Sequence, residues 1–278
     1  MTTGLPAAMA FFTAAWAWAN ALAAGMAPLP LVEFTHAPPR APQTEAICGT
    51  FGIGMPPVPA APAPQALPAF PLAPAGSLLA QLDSLSKGRP ARWVRAMEEF
   101  GQNYGYILYR KQLDAPLKGQ LVLDELRDQA TVLADGRVIG RLDRRRGDKS
   151  LAVDLPAGTR LDLLVEAMGR IGFGAKLVED NKGIVRGVKL DKQELEDWTV
   201  YPLPLDAAAL KRLAAGAPGN AGGDTASPGF WRGTLKIDKP VDSFLDTRGW
   251  GKGQLWVNGH HLGRFWHIGP QQTLYLPA

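Results

Sequence analysis

The order of apolar and polar residues predicts that most of this chain forms short β-strands. GYILYRKQL (Gly105–Leu113) alternates and is rich in Tyr and Ile, which is typical of a strand. Similar segments follow as far as Leu205 at intervals of about ten residues, with Gly, Pro or Asp between them. A second series begins at FWRGTLKI (Phe230–Ile237) and continues to Ala278. Because this spacing is typical of antiparallel sandwiches and barrels, we expect an all-β protein with two modules.

One hairpin pattern occurs in both modules. VLADGRVIGRL (Val132–Leu142) aligns with LWVNGHHLGRF (Leu255–Phe265), which places an Asp-Gly over an Asn-Gly and an Ile-Gly-Arg over a Leu-Gly-Arg. Asp-Gly and Asn-Gly between apolar segments are the strongest local signal for a two-residue hairpin, because a type I′ turn needs positive φ at both central residues. The repeat therefore predicts the same β-hairpin once in each module.

The repeat also bears on the end of the second module. Leu155–Ala157 (LPA) aligns with Leu276–Ala278 (LPA), so the counterpart of the strand Arg160–Ala167 would follow the last residue. A sandwich without that strand has a row of unpaired backbone donors and acceptors, which is a template for aggregation. We expect the second module to be incomplete at its C-terminus and poorly soluble.

Composition divides the chain into four segments. Much of the N-terminal segment is rich in Pro and Ala, and proline removes the backbone donors that helices and sheets need, so disorder is expected there. Short helices are expected over Ser77–Leu85 and Arg92–Phe100, and the connection between the modules starts with a helical pattern. The predicted segments are a disordered part (1–70), a first β-sandwich (71–205), a linker (206–228) and a second, truncated β-sandwich (229–278).

The first residues permit three interpretations. No charged side chain occurs before Glu33, and Ala7–Ala19 has the length of the apolar part of a signal peptide but lacks the usual basic residues before it. The apolar stretch is short for a membrane span. A signal peptide, a membrane anchor and a gene start without an evolved role all stay open. A periplasmic or secreted location follows only from the first of these, and otherwise the location is unknown.

Charge and cysteine content exclude several function classes. The net charge is +4, and six of the 30 basic residues lie in Arg137–Lys149, where no aromatic residues interleave to stack on bases. A solvated loop is therefore the preferred interpretation of this basic stretch, and no nucleic acid is expected as a partner. The single Cys48 excludes an intrachain disulfide and a cysteine zinc site. No cofactor is expected.

Several motifs resemble one enzyme family. They are NYGYILYR (Asn103–Arg110), LLVEAMGRIGFG (Leu163–Gly174), DWTVYPLPL (Asp197–Leu205) and above all GWGKGQLWVNGHHLGRFWHIGPQQTLYLPA (Gly249–Ala278). Together they resemble the β-galactosidases of glycoside hydrolase family 35, from about Pro71 to the end. The resemblance implies that both modules are galactose-binding-like jelly rolls. It also implies that the whole enzyme hydrolyses terminal β-D-galactosyl residues.

The catalytic part of that family is not recognisable in this sequence. Family members place a (β/α)8 barrel with two catalytic glutamates before the jelly rolls, one glutamate in an Asn-Glu-Tyr-Gly-type motif. No such motif occurs here, and the residues before Pro71 are too few for a barrel of about 200 residues or more. We therefore expect a non-catalytic C-terminal part that supports or shapes the active site of a barrel and is inactive alone. Its expected partners are a β-galactoside or galactose-containing glycan, bound through the full-length enzyme, and possibly a separate catalytic barrel.

Two other functions stay open at this point. The chain could be a free-standing carbohydrate-binding module, or an active glycosidase with an unrecognised site. A glycosidase needs a pair of carboxyl groups close together in space, one of them kept protonated. Glu98 with Glu99, and Glu194 with Glu196, lie in no aromatic cluster that would raise a pKa, so all four are interpreted as solvated surface. No catalytic residue is assigned.

Five residues are candidates for sugar binding or for the rim of an active site. Gln102, Asn103 and Tyr104 precede a strand, and in a full-length relative their loop could face the barrel. Trp231 and Trp266 belong to a cluster of indoles in the second module, and the apolar face of a sugar stacks on indole. The alternatives are a turn that leads into a strand and core packing.

A metal site is the remaining chemical possibility in the last motif. His260, His261 and His267 lie close together in the sequence. No carboxylate or cysteine beside them completes a set of ligands, so no metal site is predicted.

Overall fold

The fold is given by a computed structural model that describes residues 8–12, 41–54, 69–215, 227–238 and 240–278. The strands are β1 (Ala8–Phe12), β2 (Ala73–Ser77), β3 (Arg89–Ala91), β4 (Tyr106–Gln112), β5 (Leu117–Arg127), β6 (Gln129–Ala134), β7 (Arg137–Asp143), β8 (Ser150–Leu155), β9 (Arg160–Glu166), β10 (Gly183–Leu190), β11 (Gln193–Glu194), β12 (Trp198–Leu203), β13 (Gly229–Gly233), β14 (Ser243–Asp246), β15 (Lys252–Val257), β16 (His260–Trp266) and β17 (Thr273–Leu276). The α-helices are α1 (Ala41–Phe51), α2 (Leu82–Leu85) and α3 (Ala207–Ala215). The predicted all-β fold is confirmed.

The first module is a sandwich of two antiparallel sheets. One sheet has the order β11-β10-β5-β8, and the other has the order β3-β12-β4-β9-β6-β7. Apolar side chains from both sheets form one core, with Leu121 and Leu123 of β5 facing Ile107 and Tyr109 of β4. Because side chains alternate along a strand, the residues of β4, β9 and β12 that enter this core are two positions apart.

The six-stranded sheet is buried on both faces. Tyr106 and Leu108 of β4 point away from the first core and join a second one with α2 and α3. Phe230 of β13 and Trp256 of β15 complete this second core from the other module. The prediction that β4 alternates between apolar and polar residues was wrong for Tyr106–Tyr109, because both faces of the strand are buried and the run is continuously apolar.

Among the residues whose side chains the structure describes, the second module has a small core of its own. Its sheets have the orders β16-β15-β1-β13-β2 and β14-β17. The buried residues between them form a small cluster of Leu255, Phe265 and Leu274. Phe230 and Trp256 of this module are also buried in the core on the outer face of the six-stranded sheet, and that burial adds to the stability of the module.

Both hairpins have the predicted turn. The φ angles are 48° at Asp135 and 83° at Gly136, and 54° at Asn258 and 84° at Gly259. Positive φ at both central positions defines the type I′ turn. The prediction from the Asp-Gly and Asn-Gly pairs is confirmed at each site.

The two hairpins also share one irregularity. In each, the pairing register shifts by one residue on the return strand, which leaves Ile139 unpaired in the first and Leu262 in the second. The next residue is a glycine in both cases. At Gly140 a Cβ atom would lie 2.6 Å from Cδ2 of Leu151, so a side chain there would clash with the facing sheet. The repeat is therefore a repeat of three-dimensional structure, including its bulge.

Two elements lie within residues 1–70, the segment predicted to be disordered. One is β1, which pairs with β13 and β15. The other is α1, which has Pro42 in its first turn, where proline costs no hydrogen bond, and ends before Gly52 at a φ of 62°. The rest of Ala7–Ala19 and most of the Pro/Ala-rich stretch lie outside the described residues.

The sheets extend across the predicted limits of the modules. β2 lies in the range assigned to the first module, but it pairs with β13 in the sheet of the second. The predicted linker begins as α3, and residues 216–226 lie outside the described part. The helix expected over Ser77–Leu85 is reduced to α2, and the one over Arg92–Phe100 to a single 3-10 turn at Met97–Phe100. Among the described residues, no helix has the length and apolar content needed to cross a membrane.

Candidate functional site at the module junction

The predicted rim loop lies at one end of the first module. Gln102 is buried, and its Nε2 donates to the backbone carbonyls of Tyr104 at 2.5 Å and Tyr106 at 2.7 Å, so it holds the shape of the loop. Asn103 is exposed, and Tyr104 is 55% exposed. All three of the predicted residues line a surface cleft of about 430 Å³.

Arg170 joins this loop to a second one. Its guanidinium donates to the carbonyl of Asn103 at 2.9 Å and to the carbonyl of Asp180 at 2.8 Å, and it forms an ion pair with Glu98. The joined loops expose a set of large side chains, which we call the apolar rim. The apolar rim consists of Tyr104, Ile171, Phe173, Leu177 and Val178.

A buried charge network supports the apolar rim from below. The Nζ atom of Lys182 lies 3.0 Å from Oδ2 of Asp128 and 3.3 Å from Oδ1 of Asp180, and its side chain is 2% exposed. The other carboxylate oxygen of Asp180 accepts from the backbone N–H of Ile171 at 3.0 Å. Burial raises the pKa of Asp180, but the Ile171 N–H and Lys182 outweigh it and hold that pKa below its usual range.

A second buried ion pair joins the two modules. Lys252 of β15 contacts Glu166 at the end of β9, and each side chain is 4% exposed. Burial lowers the pKa of Lys252, and the charge of Glu166 opposes that effect. Arg264 of β16 adds a hydrogen bond to the carbonyl of Met168 at 3.3 Å. Sequence reasoning missed these contacts, although Glu166 and Lys252 both lie in motifs that carry the family resemblance.

The predicted tryptophans have different surroundings. Trp266 is half-buried at the junction, where the guanidinium of Arg145 lies 4.1 Å and the ammonium of Lys252 lies 4.2 Å from its ring centroid. Those distances are typical of cation–π contacts. Trp231 is half-buried on β13 opposite Pro74 and does not line the cleft beside Gln102, Asn103 and Tyr104. The structure brings Gln102, Asn103 and Tyr104 together and leaves the two tryptophans apart from them.

A second cleft runs along the junction. Its volume is about 520 Å³, and Tyr104 lies at its edge together with Gln254, Trp256, His261 and Arg264 of the second module. The rings of Trp256 and His261 lie 5.0 Å apart, and Nε2 of His261 is 2.8 Å from Oε1 of Gln254. Burial lowers the pKa of His261, which favours the neutral imidazole. Amide, imidazole and guanidinium groups beside aromatic faces are chemically suited to a sugar.

The carboxyl groups of the described residues do not resemble a glycosidase pair. Glu98 is paired with Arg170, and Glu196 is paired with Arg92 at 3.1 Å, whose hydrogen bond lowers the pKa of Glu196. Every carboxyl group of the described residues with a shifted pKa is shifted downward. A general acid needs the opposite shift to stay protonated near pH 7. No group of three or more possible metal ligands occurs among the described residues.

The stability of the junction is expected to depend on pH through Asp143. Burial raises the pKa of Asp143, but hydrogen bonds from the guanidinium and backbone N–H of Arg145 outweigh it and hold that pKa below its usual range. The contribution of the ionised Asp143 carboxylate to the free energy of unfolding is therefore fully present above about pH 4. It is lost as the pH falls from that value towards the lower pKa of the folded state. Asp143→Asn should lower the urea midpoint at pH 7 and make little difference near pH 2. A difference from wild type that stays constant with pH would contradict this assignment, and the exposed Asp154→Asn is the control.

Comparison with known proteins agrees with the two modules. A family model described as "Beta-galactosidase, first all-beta domain" matches residues 95–204, and one described as "Beta-galactosidase, galactose-binding domain" matches residues 228–278. A β-galactosidase of Xanthomonas manihotis is 42% identical over 248 residues, which cover 88% of this chain and 40% of that protein. The Homo sapiens β-galactosidase is 35% identical over 222 residues, 71% of this chain and 32% of that protein.

The chain thus spans about 40% of the length of the Xanthomonas manihotis relative and less of the human one. The matched residues contain the hairpins, the apolar rim and the buried Lys252–Glu166 pair. The chain therefore belongs to the β-galactosidase family, of which it carries the first all-β domain and the galactose-binding domain.

Proposed function

We propose that this chain is the non-catalytic part of a β-galactosidase and that it supports and shapes the active site of a catalytic barrel. The barrel would be supplied by the remainder of a longer protein or by a separate chain. The observation that carries the proposal is the apolar rim, a surface of large apolar side chains at one end of the first module.

The composition of the apolar rim fits a protein partner. Phe173 is 94% exposed and Val178 is 87% exposed. Exposed apolar groups of this size on neighbouring loops are typical of an interaction surface, since burying them against a partner is favourable. In the β-galactosidase family, the catalytic barrel is the candidate for a partner that would bury these apolar side chains.

The apolar rim is also prepared for binding. Arg170 fixes the position of both loops, and the Lys182 network holds Asp180 beneath them. Loops held in one conformation lose little entropy when they bind, which strengthens association. Tyr104 belongs to the apolar rim and also reaches the junction cleft, so on a docked barrel its phenol would lie near the path of the substrate.

The proposal predicts that activity requires a barrel and an intact apolar rim. We expect the purified chain to release no nitrophenol from a nitrophenyl β-galactoside. Mixed with the remaining, unmatched part of the Xanthomonas manihotis relative, it should bind and raise turnover. Phe173→Asp should weaken that association by roughly 2 kcal/mol, or about thirtyfold, because an interface anchor is replaced by a charge.

The matched control is Ile139→Asp. Ile139 is 38% exposed on β7, outside the apolar rim, so this variant should associate like the wild type. Turnover by the chain alone would contradict the proposal, as would equal association of the two variants. Binding of galactose by the chain alone, without association, would favour the alternative of a free-standing carbohydrate-binding module. The lining of the junction cleft is the observation that keeps that alternative open.

A further inference from the structure

The strand β1 has an unusual place in the second module. It lies between β13 and β15 and is antiparallel to both. Ala8 pairs with Gly233 on one side and Val257 on the other, and Phe12 pairs with Gly229 and Gly253. A strand from the start of the chain therefore lies inside a sheet whose other members come from Ala73–Ser77 and from residues after 228.

The internal repeat shows which strand of the first module corresponds to β1. In the first module β9 lies between β4 and β6 and is antiparallel to both. The hairpin β15–β16 corresponds to β6–β7 through its turn and its bulge. β1 therefore holds in the second sheet the position that β9 holds in the first, although the two strands come from unrelated parts of the chain.

The sheet needs a strand at this position. β13 has β2 on its other side, and β15 has β16. Without an occupant the sheet would separate into two pairs, and the facing edges of β13 and β15 would present unpaired N–H and C=O groups. These edges carry Phe230 and Leu255, which are buried, so the unpaired groups would be costly.

We propose that the space between β13 and β15 is a strand-binding cleft and that its occupant is the segment Ala8–Phe12 of the same chain. The cleft binds by β-augmentation, in which main-chain hydrogen bonds give affinity to an extended segment. The sequence AMAFF suits a central strand, because it has neither proline nor charge. The inference does not depend on the proposed function, since it concerns only the completion of the second sheet.

Hydrogen exchange on the unmodified protein tests the occupant directly. Amide protons of residues 8–12 should exchange at least about a hundredfold more slowly than in the unfolded chain, and amides of β13 and β15 should be protected with them. Exchange of residues 8–12 at the unfolded rate would overturn the proposal. Loss of these residues from the mature folded protein, detected by intact mass, would overturn it as well.

A proline variant tests whether the strand completes the sheet. Ala10→Pro removes a donor from the centre of β1 and should lower the melting temperature by roughly 5 °C or more, with faster exchange in β13 and β15. Ala23→Pro, which lies outside β1, is the control and should behave like the wild type. Equal behaviour of the two variants would overturn the proposal.

A peptide distinguishes this chain's own strand from that of another copy. A labelled peptide with the sequence of residues 7–13 should bind the Ala10→Pro variant and not the wild type, whose cleft is filled. Binding to neither protein, or equally to both, would overturn the proposal. A wild-type dimer that Ala10→Pro converts to a monomer would also overturn it, since the strand would then come from a second copy.

Discussion

Replacing Lys252 with methionine is expected to lower the free energy of unfolding by about 3–5 kcal/mol. The variant leaves the carboxylate of Glu166 buried at the junction without the ammonium that neutralises it. The same ammonium lies over the ring of Trp266, so the variant also loses a cation–π contact. Urea unfolding followed by tryptophan fluorescence measures the loss.

A double variant tests whether the loss of stability comes from breaking the ion pair or from a general disturbance of the junction. The double variant Lys252→Met with Glu166→Leu removes both charges, and an apolar pair in a buried site often replaces an ion pair at little cost. We expect the double variant to be more stable than Lys252→Met alone, which gives a large coupling energy in the double-mutant cycle. Additive losses from the two substitutions would show that Lys252 and Glu166 do not act as a pair.

Replacing Lys182 with methionine is expected to have an effect of similar size, about 3–5 kcal/mol. Its ammonium lies between Asp128 and Asp180 with its side chain 2% exposed, so the variant leaves two buried carboxylates with less positive charge. The loss should reach the surface, because Asp180 accepts from the backbone N–H of Ile171. Chemical denaturation gives the stability, and hydrogen exchange at Ile171 reports the loosening of the apolar rim.

Lys118→Met is the matched control for Lys182→Met. Lys118 forms an ion pair with Asp154 at 2.7 Å, but the two side chains are 78% and 69% exposed. Exposed pairs contribute about 1 kcal/mol or less, so this variant should be nearly neutral and should leave the exchange of Ile171 unchanged. If Lys182→Met and Lys118→Met lowered the free energy of unfolding equally, the loss in Lys182→Met could not be attributed to the burial of its ion pairs.

The parts of the fold that were predictable depend on local physics. Asp135-Gly136 and Asn258-Gly259 determine the type I′ turns, because positive φ at both positions favours few residue pairs. The strand segments were recognisable for a similar reason, since apolar alternation reports one buried face. The two buried faces of the six-stranded sheet were not predicted, because the segment that contains Tyr106–Tyr109 was interpreted as alternating.

The remaining features depend on contacts between distant residues. β2 (APAGS) contains proline and glycine, which are poor strand formers, and only its pairing with β13 makes it a strand. Lys182 and Lys252 have no local pattern that marks a buried lysine, because Asp128 and Glu166, which pair with them, lie far away in the sequence. Of the candidate site, the loop at Gln102–Tyr104 was predictable, whereas Arg170 and the junction cleft were not.

The position of β2 has a consequence for how the protein is made. β2 is synthesised before the first module, and its partner β13 is synthesised after it. Pairings this far apart in sequence close slowly, since the chain between them must be ordered first. During synthesis, β2 therefore stays unpaired while the six-stranded sheet forms. An unpaired strand edge on a nascent chain favours self-association.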